Sequence, residues 1–411
     1  MKKTSCRICK TEITPFISFG SQPLANGFLT SNDFPQEYFF ELAACFCPKC
    51  TMVQLLDQPE PEKMFNENYA FFSGTSQHMT RHFKAFAEEI RETVGKDVGK
   101  PFIVELGSND GILLKNFAEA GIHHLGVEPS ANVAEVARRA GVQTQVGFFN
   151  VSTAEAIVRQ QGPADAVLAA NVLCHIADIH SVLEGVQVLL KPSGTVCFED
   201  PYIGDVLRKT SYDQIYDEHV FLFSLSSVRT AFGLHGFELF DAVPQPTHGG
   251  SMRYYLARKG TRKETPRLTD LLKQEESAGT SNPQTYANFK TQCEASRKAL
   301  RALLQTVRST GKRVVGYAAT SKSTTVTNYC GLTPDLIEFI SDTTPLKQGK
   351  FSPGVHIPVR PYQEFSQKYP DYALLFGWNH RAEIVAKEQA FLQHGGQWIS
   401  YVPQVEVLSS L

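Results

Sequence analysis

The chain has 411 residues, 42% hydrophobic and 20% charged, as in soluble globular proteins of two or three domains. Its formal net charge of −2 argues against a general nucleic-acid binder, which needs a basic face for phosphates. No apolar run follows Met1-Lys2-Lys3, and none reaches the roughly 18 residues that span a bilayer, so neither a signal peptide nor a membrane span is expected. A cytoplasmic location with reduced thiols follows as the expectation.

Residues 1–80 hold five of the nine cysteines and are rich in turn formers and aromatics. Cys6-x-x-Cys9 and Cys47-x-x-Cys50 form two CxxC knuckles with 37 residues between them. Each knuckle sets two thiolates on one side of a tight turn, and two knuckles close a tetrahedral Zn2+ site. Four thiolate ligands leave no open position, so the zinc is expected to be structural, with Cys45 a packed thiol. A thioredoxin-like redox pair is disfavoured, because neither CxxC follows a strand and opens a helix.

Residues 81–260 alternate short apolar runs with helical patterns, which predicts βαβ units on a parallel sheet. Phe102-Ile103-Val104 reads as a strand that turns through Glu105-Leu106-Gly107-Ser108-Asn109-Asp110-Gly111 into a helix. Gly107 and Gly111 allow a ligand close to the backbone. The pattern is E-x-G-x-x-x-G rather than the glycine pattern that lines a pyrophosphate. S-adenosylmethionine (SAM) has no phosphate, so an acid beside the loop is tolerated and can hold its ammonium group. Glu128 ends the next strand, where a carboxylate can accept both ribose hydroxyls. Asn171 closes a further strand whose carboxyl end borders the cofactor. Glu105, Gly107, Ser108, Asp110, Gly111, Glu128 and Asn171 are therefore the candidate SAM residues.

Residues 261–411 begin with a polar stretch carrying Tyr286, Phe289, Cys293, Leu300, Leu303, Leu304 and Val307 at helical spacing. Asn282-Pro283 fits the start of that helix and Gly311 its stop. Strands are then expected at Val314–Tyr317, Leu336–Ile340, Tyr372–Phe376 and Trp398–Val402, making a second Rossmann-like α/β domain. The predicted architecture is α/β: an N-terminal zinc-binding module, a central Rossmann-like SAM methyltransferase domain and this C-terminal unit.

His175 lies just past the Asn171 strand, and His219 ends the polar run Tyr212-Asp213-Gln214-Ile215-Tyr216-Asp217-Glu218-His219. A carbon nucleophile for SAM is made by removing a proton, most easily one α to a ketone. That chemistry needs a base and one or two donors for the enolate oxygen. An RNA or protein methyltransferase with polymer-presenting knuckles is the alternative, and it lacks a basic, aromatic stripe.

These residues resemble the SAM-dependent C-methyltransferases that act on C3 of nucleotide-linked 4-keto-6-deoxy sugars. The likeness runs through the knuckles, Glu105 to Gly111, Asn171 to His175, Ser211 to Phe221, His248-Gly249-Gly250-Ser251 and Gly316 to Lys322. It implies that His219 is the base that removes the C3 proton. It further implies that Tyr216 and His175 orient the sugar and stabilise the enolate, that Glu218 supports them, and that Tyr69 flanks the SAM pocket. The C-terminal unit would hold the nucleotide of a dTDP- or GDP-sugar, with His248, Gly249, Lys322 and Lys350 at the substrate. Lys347 could also face the diphosphate, but reads more as a solvated charge. Where the family often has Gly-Tyr-Gly-Ala, this chain has Gly316-Tyr317-Ala318-Ala319, which puts the close backbone approach there in question. The partners expected are the keto sugar, no nucleic acid and no membrane, with the chain a monomer or weak oligomer.

Overall fold

A computed structural model describes residues 4–60, 64, 77–94 and 99–408. Tyr69 lies outside the described residues. Strands β1 (Thr4–Ser5) and β2 (Glu12–Ile13) pair antiparallel around the first knuckle. Strands β3 (Pro15–Pro23), β4 (Phe39–Phe46) and β5 (Val53–Leu55) form an antiparallel sheet.

The second layer starts with α1 (Gln77–Thr93), β6 (Phe102–Leu106), α2 (Lys115–Glu119), β7 (His123–Glu128), α3 (Ala131–Arg139) and β8 (Thr144–Val146). It continues through α4 (Val151–Gln161), β9 (Ala164–Ala170), α5 (Ile179–Leu189) and β10 (Leu190–Pro201). β6 is Phe-Ile-Val-Glu-Leu and is buried along its length, as a strand covered by helices on both faces should be. β11 (Phe221–Leu222) leaves this layer and joins the N-terminal sheet, Phe221 opposite Gln54 and Leu222 opposite Val53. β12 (Phe237–Gln245) and β13 (Ser251–Arg258) complete a seven-stranded sheet of order β12-β13-β10-β9-β6-β7-β8. β6 to β10 run parallel, and the strand order reverses between β6 and β9. Such a reversal opens a ligand crevice beyond the carboxyl ends of the strands.

Two helices, α6 (Pro266–Ser277) and α7 (Pro283–Ser309), lead into the last unit. Asn282 Oδ1 accepts the Gln284 N–H at 3.0 Å, Pro283 opens the helix, and Gly311 follows it at φ 77°. The final sheet holds β14 (Val314–Tyr317), β15 (Ile340–Asp342), β16 (Val359–Pro361), β17 (Tyr372–Leu375), β18 (Gln397–Ser400) and β19 (Glu406–Leu408), with α8 (Ser321–Cys330) after β14. Its order is β16-β15-β14-β17-β18-β19, all parallel but for β19, with its own reversal between β14 and β17. The strand expected at Leu336–Ile340 begins only at Ile340. Thr333 precedes Pro334, and its carbonyl accepts the N–H groups of Leu336 (2.9 Å) and Ile337 (3.0 Å), so those apolar residues fill the core from a turn.

Candidate active site

The loop after β6 is shaped by two glycines in the left-handed region, Gly107 at φ 62° and Gly111 at φ 80°. A Cβ on Gly107 would sit 2.5 Å from Val172 Cγ2. Glu128 is buried at the end of β7, and its two oxygens accept the N–H groups of Asn109 (2.9 Å) and Ser130 (2.8 Å). Backbone donors thus fix the carboxylate, and each oxygen retains lone-pair capacity for a hydroxyl. Glu105 is buried nearby; desolvation, then the fields of Glu128 and Asp110, push its carboxyl well above the usual range. Glu105 Oε2, Ser108 Oγ and Asn171 Oδ1 are buried and have no hydrogen-bond partner among the described residues. Orphaned acceptors beside a crowded acid fit a ligand that brings an ammonium group and hydroxyls.

On the far side of β9, His219 Nδ1 lies 2.8 Å from the Gln214 carbonyl, and Nε2 lies 2.9 Å from the Tyr216 hydroxyl. The carbonyl can only accept, so Nδ1 carries the proton and Nε2 the basic lone pair. The His175 ring stacks on His219 with centroids 5.3 Å apart and planes 23° apart. Burial pulls His175 down to about 4. Burial and then the neighbouring His175 carry His219 well below the usual imidazole value. Both rings are therefore neutral at pH 7. The ligating atoms of Cys174, His175 and His219 fall within 4.8 Å of one another.

The run that carries His219 is held from three sides. Asn26 Nδ2, from the N-terminal module, donates to Glu218 Oε1 at 2.6 Å. Asp213 accepts from Trp378 Nε1 (2.6 Å) and the Tyr401 hydroxyl (2.7 Å), both in the C-terminal unit. Thr325 Oγ1 on α8 donates to the Ile215 carbonyl at 3.0 Å. Lys322 is buried, pulled down to about 8 by desolvation against the field of Asp213, and donates to the His248 carbonyl at 3.1 Å. His248 sits in the left-handed region at φ 53°. Gly249 packs so tightly on Trp378 that a Cβ would fall 2.2 Å from its ring. Lys347 is half-buried rather than solvated: it donates to the Ala319 carbonyl at 2.8 Å, lies over the Phe28 ring and faces Glu218. Lys350 instead faces Asp33.

At the N-terminus the two knuckles share one backbone design. Cys6 N–H bonds the Thr11 carbonyl (2.8 Å) and Lys10 N–H the Cys6 carbonyl (3.0 Å); Cys47 with Met52 (2.9 Å) and Thr51 with Cys47 (2.8 Å) repeat it. Lys10 and Thr51, each following a second cysteine, both lie in the left-handed region at φ 61° and 57°. The four thiols converge, Cys6 on Cys50 at 3.4 Å and Cys9 on Cys47 at 3.5 Å. That spacing suits four thiolates around one Zn2+ at about 2.3 Å each. Cys45 is a buried thiol, pushed up to about 12 by desolvation, and stands outside the cluster.

C-methyltransferase NovU from Streptomyces niveus is 35% identical over 408 residues, covering 98% of this chain and 97% of the relative. This chain belongs to the C-methyltransferase family. Residues 246–403 match the family described as "C-methyltransferase C-terminal domain", 77–242 "Methyltransferase domain" and 6–65 "Putative zinc binding domain". A ubiquinone biosynthesis O-methyltransferase from Chelativorans sp. is 33% identical over 116 residues, 26% of this chain and 46% of the relative. Magnesium protoporphyrin IX methyltransferase from Synechocystis PCC 6803, solved with SAM, aligns at a TM-score of 0.33 and 13% identity over 44% of this chain and 82% of that one. The enzyme is a SAM-dependent C-methyltransferase with a four-cysteine zinc domain at its N-terminus. Among the described residues, no helix is long and apolar enough to cross a membrane.

Several residues around this candidate site of the C-methyltransferase carry no mark in the sequence. Consecutive acids at the end of β10 serve opposite faces. Burial alone would raise Glu199, but His82 (2.8 Å), Arg253 (2.9 Å) and Thr247 (2.8 Å) bring it down to about 2. Asp200 accepts the Cys174 N–H at 3.2 Å, so it steadies the turn that leads to His175, and burial pushes it up to about 8. Asn26 lies in a turn of ordinary composition, 192 positions from its partner Glu218.

Proposed function

We propose that the enzyme methylates C3 of a dTDP- or GDP-linked 4-keto-6-deoxy sugar through an enolate, with His219 as the base. The observation that carries this reading is the fixed tautomer of His219, whose basic Nε2 shares a buried site with Tyr216 and His175. SAM supplies an electrophilic methyl group on its sulfonium. The Nε2 lone pair takes the proton α to the ketone, and the electron pair moves onto the carbonyl oxygen. Tyr216 and His175 donate to that oxygen where its charge develops. The C3 carbon then attacks the methyl, and the carbonyl re-forms. Glu218 orients the sugar beside the base. Glu105, Ser108, Asp110, Glu128 and Asn171 hold SAM around the turns at Gly107 and Gly111.

The nucleotide sits against the C-terminal unit. The turn after β14 lies at its strand-order reversal, and this reading assigns His248, Gly249 and Lys322 to the substrate, whereas Lys350, facing Asp33, is assigned no part in it. Ala318 takes φ 71°, so the turn keeps its left-handed path although glycine is replaced. The setting is cytoplasmic biosynthesis of branched-chain deoxysugars. The test incubates the protein with SAM and a panel of dTDP- and GDP-4-keto-6-deoxy sugars bearing a 3-hydroxyl or 3-amino group. One methyl gained at C3 on a member of the panel is the expected result. Methyl transfer to RNA or protein, with none to any sugar, would sink the proposal.

A further inference from the structure

We propose that Asn26, in the zinc-bearing module, is a positioning residue of the methyl-transfer site that acts through Glu218. The inference rests on the reading above in which Glu218 supports the sugar. Asn26 bridges two distant parts of the chain. Its Nδ2 donates to Glu218 Oε1 at 2.6 Å, and its Oδ1 accepts from Ser321 Oγ in the first turn of α8 at 2.9 Å. The ionised Glu218 carboxylate can only accept, so the amine of Asn26 faces it, and the amide oxygen is left to accept from the Ser321 hydroxyl.

The preceding residue is gripped in the same way. Ala25 N–H contacts both Asp217 oxygens at 3.2 Å, and the Ala25 carbonyl accepts from Thr324 Oγ1 at 2.8 Å. Residues 25 and 26 are therefore wedged between the acids before His219 and the helix of the C-terminal unit. A buried carboxyl needs a donor, and an amide orients it without adding charge. Asn26 and Ser321 stand 295 positions apart, so this link forms only when all three units are in place.

The groups facing Glu218 are Asp217 beside it, Cys174 from the turn after β9 and Lys347 from the loop after β15. Burial pushes Glu218 up to about 7, opposed by the Asn26 bond and then by Lys347. Loss of the Asn26 donor removes an interaction that favours the ionised form, so Glu218 titrates at higher pH in Asn26→Ala.

The test uses the zinc-loaded full chain labelled with 13C-glutamate, with the Glu218 carboxyl signal identified by its loss in Glu218→Gln. In Asn26→Ala the titration moves up in pH, and in Ser321→Ala it moves the same way by less. With an active substrate, Asn26→Ala lowers kcat roughly 10–100-fold, as misplacement of an orienting group does, and leaves the KM for SAM and the zinc content unchanged. An unmoved Glu218 titration in folded Asn26→Ala overturns the proposal. If that variant does not fold, an unmoved titration in Ser321→Ala overturns it instead. The titration needs no sugar, so failure to find a sugar substrate refutes the proposed function and leaves this inference separately decided.

Discussion

Gly107→Ala is expected to destabilise the enzyme by about 2–5 kcal/mol and to weaken SAM binding at the same stroke. Gly107 holds φ 62°, and an alanine in the left-handed region costs roughly 1–2 kcal/mol. Its Cβ would also lie 2.5 Å from Val172 Cγ2 and 2.9 Å from Cγ1, an overlap of the kind that costs about 1–3 kcal/mol. The backbone has little room to retreat, because Gly107 N–H is bonded to the Val127 carbonyl at 2.8 Å. Relief must come from Val172, which leads directly into the turn bearing His175. Denaturant unfolding gives the stability change, and titration calorimetry gives SAM affinity. In a Val172→Ala background the overlap is gone, and Gly107→Ala should cost only the conformational part, roughly 1–2 kcal/mol. Unchanged stability and SAM affinity in the single variant, or an equal penalty in both backgrounds, would refute the reasoning.

Four further outcomes are expected. SAM binding should release a proton and tighten as pH rises, because Glu105 is raised in the free enzyme and ionises to meet the ammonium; calorimetry in buffers of different ionisation heat reads this, and Glu105→Gln should abolish it. Glu199 is depressed to about 2, so its stabilisation is present above the unfolded value near pH 4.5 and is lost as pH falls from there toward 2; Glu199→Gln should flatten that part of the stability profile and cost about 3–5 kcal/mol at pH 7, because Arg253 loses its buried partner. Cys9→Ser should lose zinc by elemental analysis and methyl transfer by assay, since the zinc-bearing sheet carries β11 straight after His219, whereas Cys45→Ser should keep both. Asp200→Ala should lower kcat while leaving the SAM Kd near wild type, because the Cys174 N–H loses its acceptor and the His175 turn loosens.

The parts of the fold legible in the sequence were those encoded by short-range chemistry. Asn282-Pro283 and Gly311 bounded the long helix, because capping and φ restriction act within a few residues. The knuckles announced themselves through spacing, and Gly107 with Glu128 marked the turns at the carboxyl ends of β6 and β7. Leu336 and Ile337 misled because an apolar pair fills a core from a turn as well as from a strand, and Pro334 decided the matter. Lys347 misled because burial of a lysine depends on the ring beneath it and the carbonyl it reaches, neither of which is near in sequence. The crossing of β11 into the N-terminal sheet was invisible for the same reason. Two residues of pairing carry no periodicity, yet they anchor the run that ends in His219 on the zinc-bearing module.

The measurement that bears most directly on the mechanism is hydrogen exchange at C3 of the keto sugar in deuterated water, with S-adenosylhomocysteine in place of SAM. Without a methyl donor the base can still remove and return the proton. Wild-type enzyme should wash deuterium into C3, Tyr216→Phe should slow the exchange, and His219→Asn should abolish it. Exchange at the wild-type rate in His219→Asn would contradict the account.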